Sequence, residues 1–213
     1  PGVGCRKMAY DLRTNSWGHD KIEQLLLDNG FRVQHRRHYP RTTDSRGICK
    51  FTNLIEGLEL NDINQVVQTD ITYYPMKNRF YYLTFIIDVY SRRITGYAVS
   101  KDLETDANMH ALQMALRLRK PGKLTSMIHH SDRGSQYTSK RYLKLLEKNK
   151  VRISMCKEAW QNPYAERINR TIKHEYLYKW KINLYEELKT AVRRAVIHYN
   201  CKRNHHGLKK NNP

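Results

Sequence analysis

From residue 64 onward, dense runs of Val, Ile, Thr and Tyr alternate with longer stretches whose apolar positions recur every three or four residues. The first kind predicts strands and the second amphipathic helices. NQVVQTDITYYP (64–75), RFYYLTFIIDV (79–89) and RRITGYAVS (92–100) are three strand-like runs. Their connections are so short that an antiparallel meander follows. TDANMHALQMALRLRK (105–120) predicts a helix with Thr105 at its cap, Ala111, Leu112, Ala115 and Leu116 on its buried face, and Pro121-Gly122 as the stop. LTSMIHHSD (124–132) reads as a fourth strand, SKRYLKLLEKNK (139–150) as a helix capped by Ser139, and VRISM (151–155) as a fifth strand. NPYAERINRTIKHEYL (162–177) predicts a helix with Asn162 at the cap and Pro163 in its first turn. NLYEELKTAVRRAVIHYN (183–200) predicts the last helix, with Asn183 and Glu186 as a capping box.

The order is α/β, with a five-stranded mixed sheet flanked by helices. Strands four and five are each reached through a helix and should run parallel to a neighbour. Ligands in such sheets gather where strand ends meet helix starts. Ahead of this core, residues 4–13 and 18–30 predict two short helices. The second has Asp20 as a cap, Ile22, Leu25 and Leu26 on one face, and Gly30 as its stop. Residues 31–50 follow with Arg32, Arg36, Arg37, Arg41, Arg46 and Lys50. The expected organisation is therefore a helix-turn-helix-like segment with a basic arm (1–50), a linker (51–63) and a catalytic-sized core (64–213). The plainer alternative for residues 1–50 is a helical hairpin with a solvated tail.

Charge sharpens this picture. Lys and Arg number 39 against 20 Asp and Glu, a formal net charge of +19 on 213 residues. A surplus spread along the whole chain points to a polyanionic partner and to binding that weakens steeply with salt. Cys5, Cys49, Cys156 and Cys201 are far apart with no Cys-x-x-Cys pair. That argues against a disulfide framework or a four-ligand zinc site and suits reduced thiols in a cytoplasm. No apolar run is long enough to span a bilayer, so no membrane partner is expected. The chain opens on Pro1 rather than Met, so a trimmed or partial chain is expected.

Against so basic a background, three acids stand out. Asp70 lies inside an apolar strand-like run, Asp132 ends another, and Glu166 opens a helix. A carboxylate within an apolar strand loses hydration, a cost that a bound divalent cation removes. Each acid has a plainer reading: an edge position for Asp70, an Asp-x-Gly turn for Asp132, and a helix-start carboxylate for Glu166. Glu166, Arg170 and Lys173 share a helix face at i, i+4 and i+7, which could equally be a solvated ion pair. Asp88 falls in a strand connection and reads as a turn residue. His198, Cys201, His205 and His206 resemble a zinc set on paper but fit no closed zinc spacing.

QTDITY, HHSDRGSQYTS and NPYAERINRTIKHEYL, in that order, resemble the three catalytic blocks of the DDE integrase-core transposases of two-reading-frame bacterial insertion sequences. The preceding helical segment and the closing HYNCKRNHHGLKKNNP are also similar to that family, so the resemblance covers nearly the whole chain. It implies an RNase H-like fold with Asp70, Asp132 and Glu166 as catalytic metal ligands, and Lys173 against a DNA end. Two Mg²⁺ (or Mn²⁺) ions about 3.5–4 Å apart would clamp the scissile phosphate, with Asp70 bridging. The implied activity is cleavage and strand transfer of element ends by in-line transesterification; the alternative is an inactive or truncated DNA-binding remnant. The implied partners are double-stranded DNA, further copies of this chain on that DNA and the product of an upstream frame, in the bacterial cytoplasm near the nucleoid. Arg170, Arg36, Arg37 and Arg41 are candidate DNA contacts. The chain departs from the family in two places. There are 33 residues between Asp132 and Glu166, two fewer than usual, and Val67 stands where many members have Trp.

Overall fold

A computed structural model describes residues 5–12, 17–31, 51–118, 127–205, 208 and 213. Five strands form one sheet: β1 (Val66–Met76), β2 (Arg79–Asp88), β3 (Ile94–Ser100), β4 (Ile128–Ser131) and β5 (Arg152–Met155), in the order β3-β2-β1-β4-β5. The first three make the expected antiparallel meander, and β4 and β5 add in parallel beside β1. Alternation along β2 supplies both faces: Leu83, Phe85 and Ile87 point one way and Ile86 the other. Both faces are covered by helices, which is why this strand reads as continuously apolar rather than alternating.

On one face lie α6 (Pro163–Thr171) and α7 (Tyr185–Cys201), contributing Ile168, Leu188, Val192 and Ala195 to a core shared with Leu83 and Phe85. On the other lie α3 (Thr105–Arg117), the short α4 (Ser135–Thr138) and α5 (Lys140–Lys148), whose Ala111, Leu112, Tyr137, Tyr142 and Leu146 pack on Val67 and Ile86. Gly96 lets β3 approach α3 so closely that a Cβ there would collide with the Ala111 carbonyl oxygen. Residues 51–63 lie on the core: Leu54, Ile55 and Leu60 pack on Val66, Val89 and Ile128, and the Leu54 amide donates to Ser154 Oγ at 2.8 Å.

The two amino-terminal helices, α1 (Cys5–Leu12) and α2 (His19–Asp28), pack on each other through Cys5, Ala9 and Ile22. Asn204, beyond α7, donates to Asp11 of α1 at 2.9 Å. The basic arm with Arg36, Arg37 and Arg41, and the Pro121-Gly122 stop, lie outside the described residues.

Several caps differ from expectation. Gly18, not Asp20, caps α2; Glu104, not Thr105, caps α3 without a side-chain bond. At α7 the reciprocal partner is Glu187, whose Oε2 accepts from the Asn183 and Leu184 amides at 2.8 and 3.1 Å, so Glu186 is free for Lys189. Ser139 does cap α5, accepting from the Tyr142 amide. The helix expected over 162–177 is α for its first part only. Ile172–Tyr176 is a π-helical turn and Leu177–Lys179 a 3₁₀ turn.

Candidate active site

Strand register brings two of the acids together. Gln68 of β1 pairs with His130 of β4, and both strands run the same way. Asp70 and Asp132 each lie two residues further on, level with one another at the end of β4. There β4 stops while β1 continues against β2 as far as Met76. A crevice beside β1 results, at the carboxyl end of a parallel strand, where such sheets place their ligands.

Four contacts lay α6 and the π-turn along β1. Gln68 Oε1 accepts from the Tyr164 amide at 3.0 Å, and Asn162 Nδ2 donates to the Thr69 carbonyl at 2.8 Å. Asn169 Nδ2 donates to Asp70 Oδ2 at 2.8 Å, and Lys173 Nζ donates to Thr72 Oγ1 at 2.6 Å. Asn162 therefore does not cap its helix with its side chain; the amide serves a strand 93 residues away in sequence. Ala165, Ile168 and Ile172 are buried, which fixes the helix rotation and leaves Glu166 on the exposed side of the crevice. Arg170 is exposed too, and among the described residues it forms no ion pair with Glu166. Lys173 is half-buried, 5.5 Å from the Tyr73 ring centre. Burial lowers its pKa, against a raising influence from Asp70. The π-turn begins one residue before Lys173; such turns recur at functional positions in helices.

The electrostatics centre on Asp70. Burial foremost, then the charges of Asp132 and Glu166, push its carboxyl up to about 8, against hydrogen bonds from the Ile71 amide and Asn169. Asp132 is raised as well, by burial, and is opposed by the Gly134 amide, which donates to its Oδ1 at 3.0 Å. The expected turn at Asp132 is present, and it orients the carboxylate. Behind them, Tyr137 meets Thr69 Oγ1 at 3.2 Å, and Thr69 donates to the Phe85 carbonyl, anchoring the backbone next to Asp70. Three carboxylates, two of which raise the pKa of the buried third, are a donor set for a hard divalent cation. All-oxygen ligation suits Mg²⁺ or Mn²⁺ rather than zinc.

Other polar residues near the site, and the remaining candidates, resolve differently. Asp88 accepts from Asn64, Ser91 and the Ser91 hydroxyl, a buried turn anchor. His129 bonds Tyr142 OH at 2.9 Å, and His130 bonds Ser154 Oγ at 2.8 Å with burial holding it down to about 4. Both are packing residues. His198 bonds Tyr176 and the His205 ring packs on Tyr199, so these two do not converge; His206 lies outside the described residues. Among the described residues, ligand atoms lie mutually within 4.8 Å only for His19, Asp20 and Glu23. Ordinary pairing accounts for that group: His19 with Asp20 at 2.9 Å and Arg6 with Glu23 at 3.4 Å. The three core acids are a looser set with Asp70 as hub. Sequence reasoning missed Asn169; its signal is a polar residue between the buried Ile168 and Ile172, three positions after Glu166.

Two models described as an integrase core domain match residues 61–159 and 149–213. The chain is 35% identical over 203 residues to the transposase for insertion sequence element IS629 of Shigella sonnei, covering 85% of this chain and 68% of that protein. It is 31% identical over 207 residues to the transposase for insertion sequence element IS904 of Lactococcus lactis subsp. lactis (strain IL1403), covering 95% and 80% respectively. Among solved structures, the HTLV-2 integrase catalytic core domain in complex with magnesium superposes with a TM-score of 0.54 at 21% identity, over 68% of this chain and 92% of that one. The chain therefore belongs to the insertion-sequence transposases with an integrase core domain, DNA-transposing enzymes built on an RNase H-like fold.

Proposed function

We propose that this transposase cleaves and joins element-end DNA by direct transesterification at Asp70, Asp132 and Glu166. The observation that carries the reading is the coupling of the three acids: both others raise the Asp70 carboxyl. Asp70 would hold two divalent cations between it and its partners, with Asp132 and Glu166 each completing one of them. This arrangement accommodates the looser spacing, because outer ligands of two ions need not lie close to each other. When bound, Mg²⁺ activates a water or 3′-hydroxyl and stabilises the leaving 3′-oxygen. Asn169 holds Asp70 in one rotamer by donating to Oδ2. The Gly134 amide does the same for Asp132. Lys173, tethered to Thr72, lies beside this carboxylate row, a site for a DNA phosphate. The working form is a set of copies on double-stranded DNA in the bacterial cytoplasm, with Arg36, Arg37, Arg41 and Arg170 as further phosphate contacts and an upstream frame's product as an accessory.

Strand transfer by purified protein tests this, using pre-cut element ends, a target plasmid and Mg²⁺ or Mn²⁺. Joining should occur with wild type and fall at least about a thousandfold in Asp132→Asn. End binding without joining by the wild-type chain would instead identify a non-catalytic remnant.

A further inference from the structure

Away from the acidic crevice, a cavity of about 610 Å³ opens where α1 meets the start of α6 and the end of α7. Its charge is not balanced. Three of its cations have acid partners: Arg6 with Glu23, Lys7 with Asp11 at 3.2 Å, and Arg203 with Glu175 at 2.7 Å. Two do not, among the described residues: Arg92 and Arg167. His205, on the same wall, reports the resulting field. Burial first, then Arg203, Lys7, Arg92 and Arg167, hold its pKa down to about 4.

Arg92 is also held at a conformational cost. Its φ is +65°, left-handed backbone that a long side chain rarely adopts. The turn between β2 and β3 folds its guanidinium over the Tyr164 ring at 4.0 Å, where it donates to the Val89 carbonyl. A glycine would suit that backbone better, so the fold retains a strained cation at the cavity wall. Tyr164, part-exposed beneath Arg92, makes the wall aromatic, and the buried Tyr199, Ile87 and Ile168 lie beneath an apolar floor. Cations beside aromatic and apolar surface match a nucleotide, whose phosphodiester is anionic and whose base stacks. The volume suits one small organic moiety and excludes a duplex.

We propose that this cavity binds one unpaired DNA nucleotide, with its phosphodiester on Arg92 and Arg167 and its base against Tyr164. The proposal rests on the DNA-joining reading above and deepens it. Arg167 follows Glu166 on α6 but on another side of the helix, so the pocket is a site separate from the acids.

The test is binding in EDTA, where no joining occurs. The probes are a labelled thymidine oligonucleotide and a duplex of equal length, with Arg92→Gly and Arg167→Gln compared to wild type. Each variant should weaken the single strand about tenfold and leave the duplex unchanged. Arg92→Gly should keep or raise Tm, because it relieves the backbone; a fall in Tm would mark Arg92 as a structural stack. Photocrosslinking of a 4-thiothymidine oligonucleotide should map to the peptide holding Tyr164. Equal losses for single strand and duplex, displacement of the strand by polyglutamate at matched charge, or crosslinks confined elsewhere would overturn the pocket. Loss of strand transfer with these crosslinks intact would sink the joining reading alone; joining that survives both substitutions, with unchanged single-strand affinity, would sink the pocket alone.

Discussion

At neutral pH and with no cation beside it, Asp70 holds its proton where an unperturbed aspartate is ionised, because burial and two neighbouring carboxylates resist its charge. The folded pKa of about 8 lies above the unfolded value, so between about pH 4 and 8 the native state binds more protons than the unfolded chain. Stability from this group is full below about pH 4 and declines as pH rises through 8. Thermal melts in EDTA should therefore show Asp70→Asn more stable than wild type at pH 8, by about 1–3 kcal/mol, with the gap closing toward pH 5. Excess Mg²⁺ should raise the wild-type Tm and leave Asp70→Asn nearly unmoved. Equal Mg²⁺ responses in the two proteins would refute a role for Asp70 in holding the ion. Asn169 makes the complementary case. Asn169→Ala removes the donor to Asp70 Oδ2. It should cut strand transfer about tenfold and raise the Mg²⁺ concentration needed for half-maximal rate, as positioning partners of metal ligands do; a purely structural role would lower Tm without shifting that concentration.

Elements divide into those decided locally and those decided at a distance. Ser139 is local: its hydroxyl accepts from the Tyr142 amide and donates to the Gln136 carbonyl. Ser139→Ala should cost about 1 kcal/mol in urea denaturation with joining per folded molecule unchanged. Gly96 is a distance effect: Gly96→Ala drives a Cβ into the Ala111 carbonyl and against Ala115 Cβ at 3.2 Å. It should cost about 1–3 kcal/mol or more by forcing β3 from α3, again seen in denaturation. The same division explains what the residues revealed in advance. Alternation, turn spacing and helix crossovers made the five strands legible, and the parallel β1–β4 pair then brought Asp70 level with Asp132. Asn162 looked like a cap because helix-start asparagines usually are, but its Nδ2 donates to a carbonyl on β1 and its Oδ1 accepts from no local amide. Asn169 and the π-turn at Ile172–Tyr176 were illegible for a related reason. Both depend on how α6 is rotated and seated against β1, and a one-dimensional pattern does not carry that angle.

On the proposed reading, affinity and chemistry reside in opposite charges across the whole molecule. The +19 surplus is spread along the chain, whereas Asp132 and Glu166 lie close enough to act on Asp70 beside β1. Phosphate neutralisation by the former sets the salt slope of DNA binding. Neutralising one acid removes a single negative charge from a site that phosphates approach only with cations present. Asp132→Asn should therefore bind duplex in EDTA as well as wild type, with the same slope of log affinity against log salt between about 50 and 200 mM, while strand transfer disappears. Fluorescence anisotropy across that range checks the slope, and the plasmid-joining assay checks the rate on the same preparations. The carboxylate also repels phosphate when no cation screens it, so any change in EDTA affinity should be a slight gain. An affinity loss in Asp132→Asn as large as its loss of joining would mean that the acids hold the DNA directly or that the crevice has collapsed. Either result would contradict a design in which basic surface captures the strand and three carboxylates act on it.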